Sequence, residues 1–255
     1  MSTGNWWNSF YEDVPFHLYL ERHDAAELEL TLRFLTERLH VQPGARLFDQ
    51  CCGMGSLSLP FAERGYEVVG VDLCESFIAR AQSSTINGAG NAEFFVGDAF
   101  AFLPVSACDA AFNWYTSFGY SAEDDENLKM IQRAFESLKP GSWFALDFPN
   151  VPMILRNFKP SMEHRLSTPD GEIVIVRQCR IDSVTNVMHQ TWNWKLPDGR
   201  VVSNNSTLRL YQPDELVKLF QRAGFTEVQL FGGLNGEERT DESGRCICIG
   251  RRPAS

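Results

Sequence analysis

The chain has 255 residues, 44% apolar and 22% charged, an ordinary globular composition with no apolar run near the roughly 20 residues of a membrane helix. Its net charge is −10 and no Lys/Arg run occurs, which argues against nucleic acid, whose phosphates require a basic field. Seven cysteines at irregular positions include no C-x-x-C, and the adjacent Cys51 and Cys52 make a poor chelate, so neither disulfides nor a metal is expected. The start, MSTGNWWNSFYEDVPFH, lacks the basic residues of a signal peptide, and the expectation is a cytoplasmic monomer or homodimer away from membranes.

Residues 6–19 form a dense aromatic segment, followed over 24–40 by a helical stripe of Leu28, Leu32, Leu35 and Leu39 behind an Asp24 cap. Strands and helices then alternate. The strands are RLFD (46–49), YEVVGVD (66–72), AEFFVGD (92–98), CDAAFNW (108–114) and WFALDFP (143–149). The intervening helices cover 56–65, 76–84 and 125–141, the last closed by Pro140-Gly141. Near-continuous apolar strands between amphipathic helices predict a parallel sheet buried on both faces.

From 150 to 212 that rhythm breaks. Residues 172–181, 187–196 and 201–211 read as strands, two of them linked by a Pro197-Asp198-Gly199 turn. A helix over 213–225 and strands over 226–232 and 245–251 follow, the last two joined without a helix and so antiparallel. The predicted α/β fold is a seven-stranded, mostly parallel sheet with helices on both faces, an antiparallel C-terminal hairpin and an inserted antiparallel β cap. Its parts are a lid (1–40), a core (41–150 and 212–255) and the cap (151–211).

The stretch FDQCCGMGSLSLPF (48–61) is the first strand-to-helix turn, which in such sheets faces the ligand crevice. A dinucleotide fingerprint needs a third glycine where Ser58 stands, and no G-K-[ST] follows for a phosphate loop. Asp72 ends the second strand 23 positions after Asp49, where a carboxylate can accept both ribose hydroxyls. Asp98, closing the third strand, is placed for an adenine amino group. Three carboxylates suit a ligand that is positive at one end.

FDQCCGMG, VVGVD and FFVGDAF, with the two strands and the C-terminal helix that follow them, resemble the class I S-adenosylmethionine-dependent methyltransferases. The resemblance covers about residues 40–150 and 207–251. It implies S-adenosylmethionine as cofactor, with Asp49 near its amino group and Gly53 and Gly55 admitting its methionine part. Asp72 would bind its ribose, and Asp98 and Ala99 its adenine; Leu73, Gly97 and Asn113 belong to the same cofactor-binding set. Cys51 departs from the family's usual glycine, so the backbone there is expected to avoid a glycine-only conformation; Cys51 and Cys52 otherwise read as small buried apolar residues.

The acceptor side falls to the segments outside the core. NWYTSFGY (113–120) is not the N-P-P-Y loop of similar nucleic-acid methyltransferases, which points to a small-molecule acceptor. Tyr11, His17 and Tyr115 are the candidate catalytic residues, Tyr11 and His17 as lid elements over the sulfonium. Tyr120, Arg209 and Tyr211 are candidates for the substrate. Four of them have plainer alternatives: aromatic packing under a loop for Tyr115 and Tyr120, a satisfied histidine at a helix start for His17, and a surface position for Arg209. Two other functions stay open: attack at another carbon of the cofactor with release of methylthioadenosine, and a non-catalytic binding module.

Overall fold

The computed structural model describes residues 5–11, 24–86 and 91–254. Five strands come first: β1 (Arg46–Gln50), β2 (Glu67–Asp72), β3 (Asn91–Val96), β4 (Cys108–Asn113) and β5 (Leu138–Pro149). Then come β6 (Ser161–Thr168), β7 (Gly171–Asp182), β8 (Val187–Lys195) and β9 (Val201–Arg209), and last β10 (Thr226–Phe231) and β11 (Arg245–Arg251).

One sheet has the order β10-β11-β5-β4-β1-β2-β3. β1 lies inside it, parallel to β2 and β4, while β11 runs antiparallel between β5 and β10. Side chains alternate across a strand, so Leu47 and Phe48, both fully buried, enter different cores. On the Leu47 side pack α1 (Ala25–Arg38) and α2 (Ser58–Glu63). On the Phe48 side pack α4 (Asp124–Ser137) and α6 (Pro213–Ala223). Each Phe or Leu so buried contributes about 1.5–3 kcal/mol, and burial on both sides demands the continuous apolar strands seen in the sequence. The helix α3 (Glu75–Ile86) lies against β3, where Ile78 and Ala81 meet Phe94.

The second sheet is antiparallel, in the order β6-β7-β8-β9. Three of its strands were expected; β6 was not. Only two of its eight positions, Leu166 above all, bury an apolar side chain to any extent comparable with its neighbours, because an edge strand has one pairing partner and much solvent. A short helix, α5 (Val151–Arg156), also precedes β6.

The helix expected over 125–141 stops at Ser137, and β5 begins at Leu138, with φ −87° and ψ 152°. Pro140 explains this. The residue before a proline is driven out of the helical region, and proline itself has no N–H to give. Among the described residues no helix is long and apolar enough to cross a membrane.

Candidate active site

A cavity of about 450 Å³ opens at the carboxyl ends of β1, β2 and β4 and is walled on its far side by the second sheet. Its floor is the loop after β1. Cys51 (φ +66°), Gly53 (φ +55°) and Gly55 (φ +80°) all take left-handed backbone there, which folds the loop back on itself. Cys51 therefore occupies the region it was expected to avoid. The turn demands that conformation, and a small side chain beside Asn113 Nδ2 (3.7 Å from Sγ) tolerates it.

The two glycines serve different ends. A side chain at Gly53 would meet nothing within 4 Å, so this backbone is bare to the cavity. One at Gly55 would come 3.0 Å from the Phe94 ring, so Gly55 stands behind the wall and lets the loop pack on β3. Gly97 is alike: a Cβ there would sit 3.0 Å from Val71. Asn113 is also a support. Fully buried, it donates to Gln50 Oε1 at 3.2 Å, and Gln50 in turn donates to Met130 O at 3.0 Å.

The carboxylates line the cavity. Asp72 accepts from Gly53 N (2.9 Å) and Cys74 N (3.0 Å), one on each oxygen, which ties the loop to the end of β2. A carboxylate has about four acceptor sites, so capacity for hydroxyls remains. Burial raises its pKa, against the pull of those amides. Asp98, exposed, accepts from Phe100 N at 2.9 Å, with Ala99 buried beside it. Asp49 is 3% exposed and accepts from Ser58 Oγ at 2.6 Å. Burial pushes its carboxyl up to about 7, against the Ser58 hydrogen bond, and Asp72 adds repulsion. No cation pairs with it among the described residues. A buried carboxylate so placed fits an incoming ammonium group.

The opposite wall is aromatic. Residues 6–8 form a single 3₁₀ turn, and Trp6 Nε1 donates to Thr207 Oγ1 at 2.9 Å. The Tyr11 and Tyr120 hydroxyls lie 2.6 Å apart, and Trp6 packs on Tyr120 at 4.7 Å between ring centroids. Burial raises the pKa of both tyrosines, and that of Tyr115 to about 12, so all three keep their protons near neutrality. Tyr115 and Thr116, at φ +60° and +62°, place two consecutive left-handed residues on the loop after β4, a conformation that stores strain. His17 lies outside the described residues.

Arg209 and Tyr211 do not reach the cavity. Arg209 is 7% exposed and paired with Asp124 (3.1 Å) and Glu215 (2.8 Å). Tyr211 donates to Asp124 Oδ1 at 2.8 Å and accepts from Asn127. They share a face, the guanidinium 4.6 Å over the ring, but that face is turned to α4 and α6. In their place the second sheet presents Arg177, Gln190 and Trp192. A signal for Arg177 was available: Ile173, Ile175 and Cys179 share its parity on β7 and are buried, so Arg177 is a cation on an apolar face.

Residues 47–141 match a family profile described as a methyltransferase domain. A methyltransferase-like protein of Geobacillus sp. (strain WCH70) is 25% identical over 215 residues, 83% of this chain and 86% of that protein. A second curated relative shares only a short segment: the chain spans 14% of the rRNA methyltransferase RlmD of Shewanella sp. (strain ANA-3), 43% identical over 63 residues. Among solved structures, the CcbJ methyltransferase of Streptomyces caelestis superposes with a TM-score of 0.78 at 19% identity, covering 97% of this chain and 99% of the other. The sugar N-methyltransferase KedS8 of Streptoalloteichus sp. ATCC 53650 gives 0.73 at 21% identity, over 94% and 93%. Residues 47–141 thus form a methyltransferase domain of the S-adenosylmethionine-dependent type, in a chain whose whole fold is shared with solved methyltransferases.

Proposed function

We propose that the enzyme methylates a small molecule held between the glycine loop and the second sheet. The observation that carries this is the aromatic cover of the cavity: Trp6 and Tyr11 are joined to Tyr120 by hydrogen bonds, Trp192 lines the same cavity, and Tyr11 also meets the Phe77 ring beside the carboxylates. A polymer needs an open groove, and among the described residues this aromatic cover narrows the cavity. The sugar N-methyltransferase named above has the same fold, which agrees with the reading.

Bound S-adenosylmethionine supplies an electrophilic methyl group on a sulfonium. In this reading Asp49 holds its ammonium group, Asp72 its ribose hydroxyls, and Asp98 with Ala99 its adenine, while bare Gly53 admits its methionine chain. Orienting two partners for in-line attack can contribute roughly 7–11 kcal/mol. The aromatic wall adds about 0.5–2 kcal/mol of cation–π attraction toward a positive centre. Tyr11, Tyr115 and Tyr120 stay protonated and so position the acceptor by hydrogen bonds rather than deprotonating it.

The test is to incubate the enzyme with S-adenosylmethionine alone, then with candidate acceptors, and to identify the nucleoside product by mass. Acceptor-dependent S-adenosylhomocysteine is expected. Methylthioadenosine formed without an acceptor would overturn the reading.

A further inference from the structure

Arg177 is the one cationic side chain among the described residues lining the cavity. Its partners among the described residues are neutral: the Met162 sulfur at 3.4 Å, the Cys179 thiol, and the Trp192 ring, whose centroid lies 5.0 Å from the guanidinium carbon. None of these offsets its charge, and its buried Nε has no hydrogen-bond partner. Trp192 is itself fixed, donating from Nε1 to Ser206 Oγ at 2.9 Å.

The neighbouring position repeats the pattern. Arg177 pairs across β7 and β8 with Trp192, and Cys179 with Gln190, so Gln190 is the diagonal neighbour of Arg177 on one face. Such diagonal neighbours lie about 7–8 Å apart. Gln190 is 8% exposed, and its buried Oε1 also lacks a partner. Buried polar atoms are nearly always satisfied. Two orphans side by side, one a donor on a cation and one an acceptor, point to a ligand that supplies both complements.

We infer that the acceptor carries a carboxylate bound by Arg177, beside a hydroxyl or amide N–H that donates to Gln190. This deepens the proposed small-molecule reading and rests on it. Arginine presents a planar fork matched to a carboxylate, and stacking on Trp192 leaves the fork's edge available. One guanidinium offsets one negative charge. A phosphate ester carries about −1.5 to −2 at neutral pH, too much for a cavity whose other ionisable carboxyls are Asp49, Asp72 and Asp98. The apolar remainder of the wall, Trp6, Met188 and Trp192, takes the ligand's body.

The experiment uses the full chain saturated with S-adenosylhomocysteine, whose own titration tests the cofactor reading separately. Benzoate, benzamide and phenyl phosphate are then titrated by calorimetry and ligand-observed NMR. Benzoate is expected to bind at least about tenfold tighter than benzamide, the scale of one charge-assisted hydrogen bond. Arg177→Met removes that preference and Arg177→Lys keeps part of it, with both variants melting near the wild type and binding S-adenosylhomocysteine as it does. Equal binding of benzoate and benzamide, or a preference that survives Arg177→Met, overturns the assignment. So does tighter binding of phenyl phosphate, or loss of S-adenosylhomocysteine affinity in Arg177→Met, which would assign the guanidinium to the cofactor.

Discussion

The two sides of the cavity are built on opposite plans. On the carboxylate side, recognition sits on loops at strand ends, held by the backbone: Cys52 N donates to Val71 O, and Gly53 N and Cys74 N donate to Asp72. On the far side it sits on the face of an antiparallel sheet, where Arg177, Gln190 and Trp192 are side chains on a regular ladder. A loop fixed by its own amides tolerates few changes, since each residue serves conformation and contact together. A sheet face can be rewritten one side chain at a time while the ladder stays. This agrees with the proposed reading, in which the constant ligand takes the first side and the variable one the second.

The strongest way to break this contrast is Asp72→Ala. It removes the anchor of two loop amides together with the proposed hydroxyl acceptor, and charge-assisted hydrogen bonds are worth about 1.5–3 kcal/mol each. S-adenosylhomocysteine affinity is expected to fall at least about 100-fold by calorimetry. Unchanged affinity would show that the loop does not depend on its carboxylate.

Arg209→Met should act on the other quantity. It leaves Asp124 and Glu215 without their shared cation, at a cost in stability of about 1–3 kcal/mol read from urea unfolding. Both carboxylates keep some solvent, which sets the lower end. Cofactor affinity should not move. If it drops, this arginine belongs to the site after all.

Acidity sharpens the comparison further, because only the loop side titrates near neutrality. Asp49 holds its proton up to about pH 7 through burial and through repulsion from Asp72. Below that pH it offers no charge to an ammonium group. Affinity for S-adenosylhomocysteine should therefore rise by up to about tenfold per pH unit toward 7, and flatten above it, once Asp49 is ionised. Asp49→Asn should erase the rising limb. The sign for stability is opposite: from about pH 4 to 7 the unfolded chain has released a proton that the folded one retains, so the ligand-free protein loses stability as pH rises.

The smallest effect is expected from Tyr11→Phe, which deletes one hydroxyl of the 2.6 Å pair. About 1 kcal/mol should appear in the KM of the acceptor, with cofactor affinity untouched.

Spacing is what the sequence offers for the loop side: Asp49 and Asp72 lie at the ends of the buried strands β1 and β2, Asp98 lies two residues beyond the edge strand β3, and strand ends converge in a parallel sheet. It could not separate contact from support. Gly55, Gly97 and Asn113 share the motifs but face Phe94, Val71 and Gln50, neighbours brought near by the fold alone. Arg209 and Arg177 show the limit on the other side. Parity along β9 put Arg209 and Tyr211 on one face correctly, but not what covers it. The Asp124 that claims Arg209 lies 85 residues away at the start of α4. For Arg177 the alternation alone would have served, had a charge among Ile173, Ile175 and Cys179 been read as a demand for a partner.

The same arginine marks a seam. The second sheet leaves the core after β5 and returns through β9, where Arg209 N donates to Gly119 O at 2.7 Å and its guanidinium grips the first turns of α4 and α6. Everything between those points is one continuous stretch of chain, clasped at its exit. An engineer wishing to give this scaffold a new acceptor has a natural graft: exchange residues 151–208 as a block and retain Gly119, Asp124, Arg209 and Glu215 as the socket. The clasp makes the wall a replaceable part.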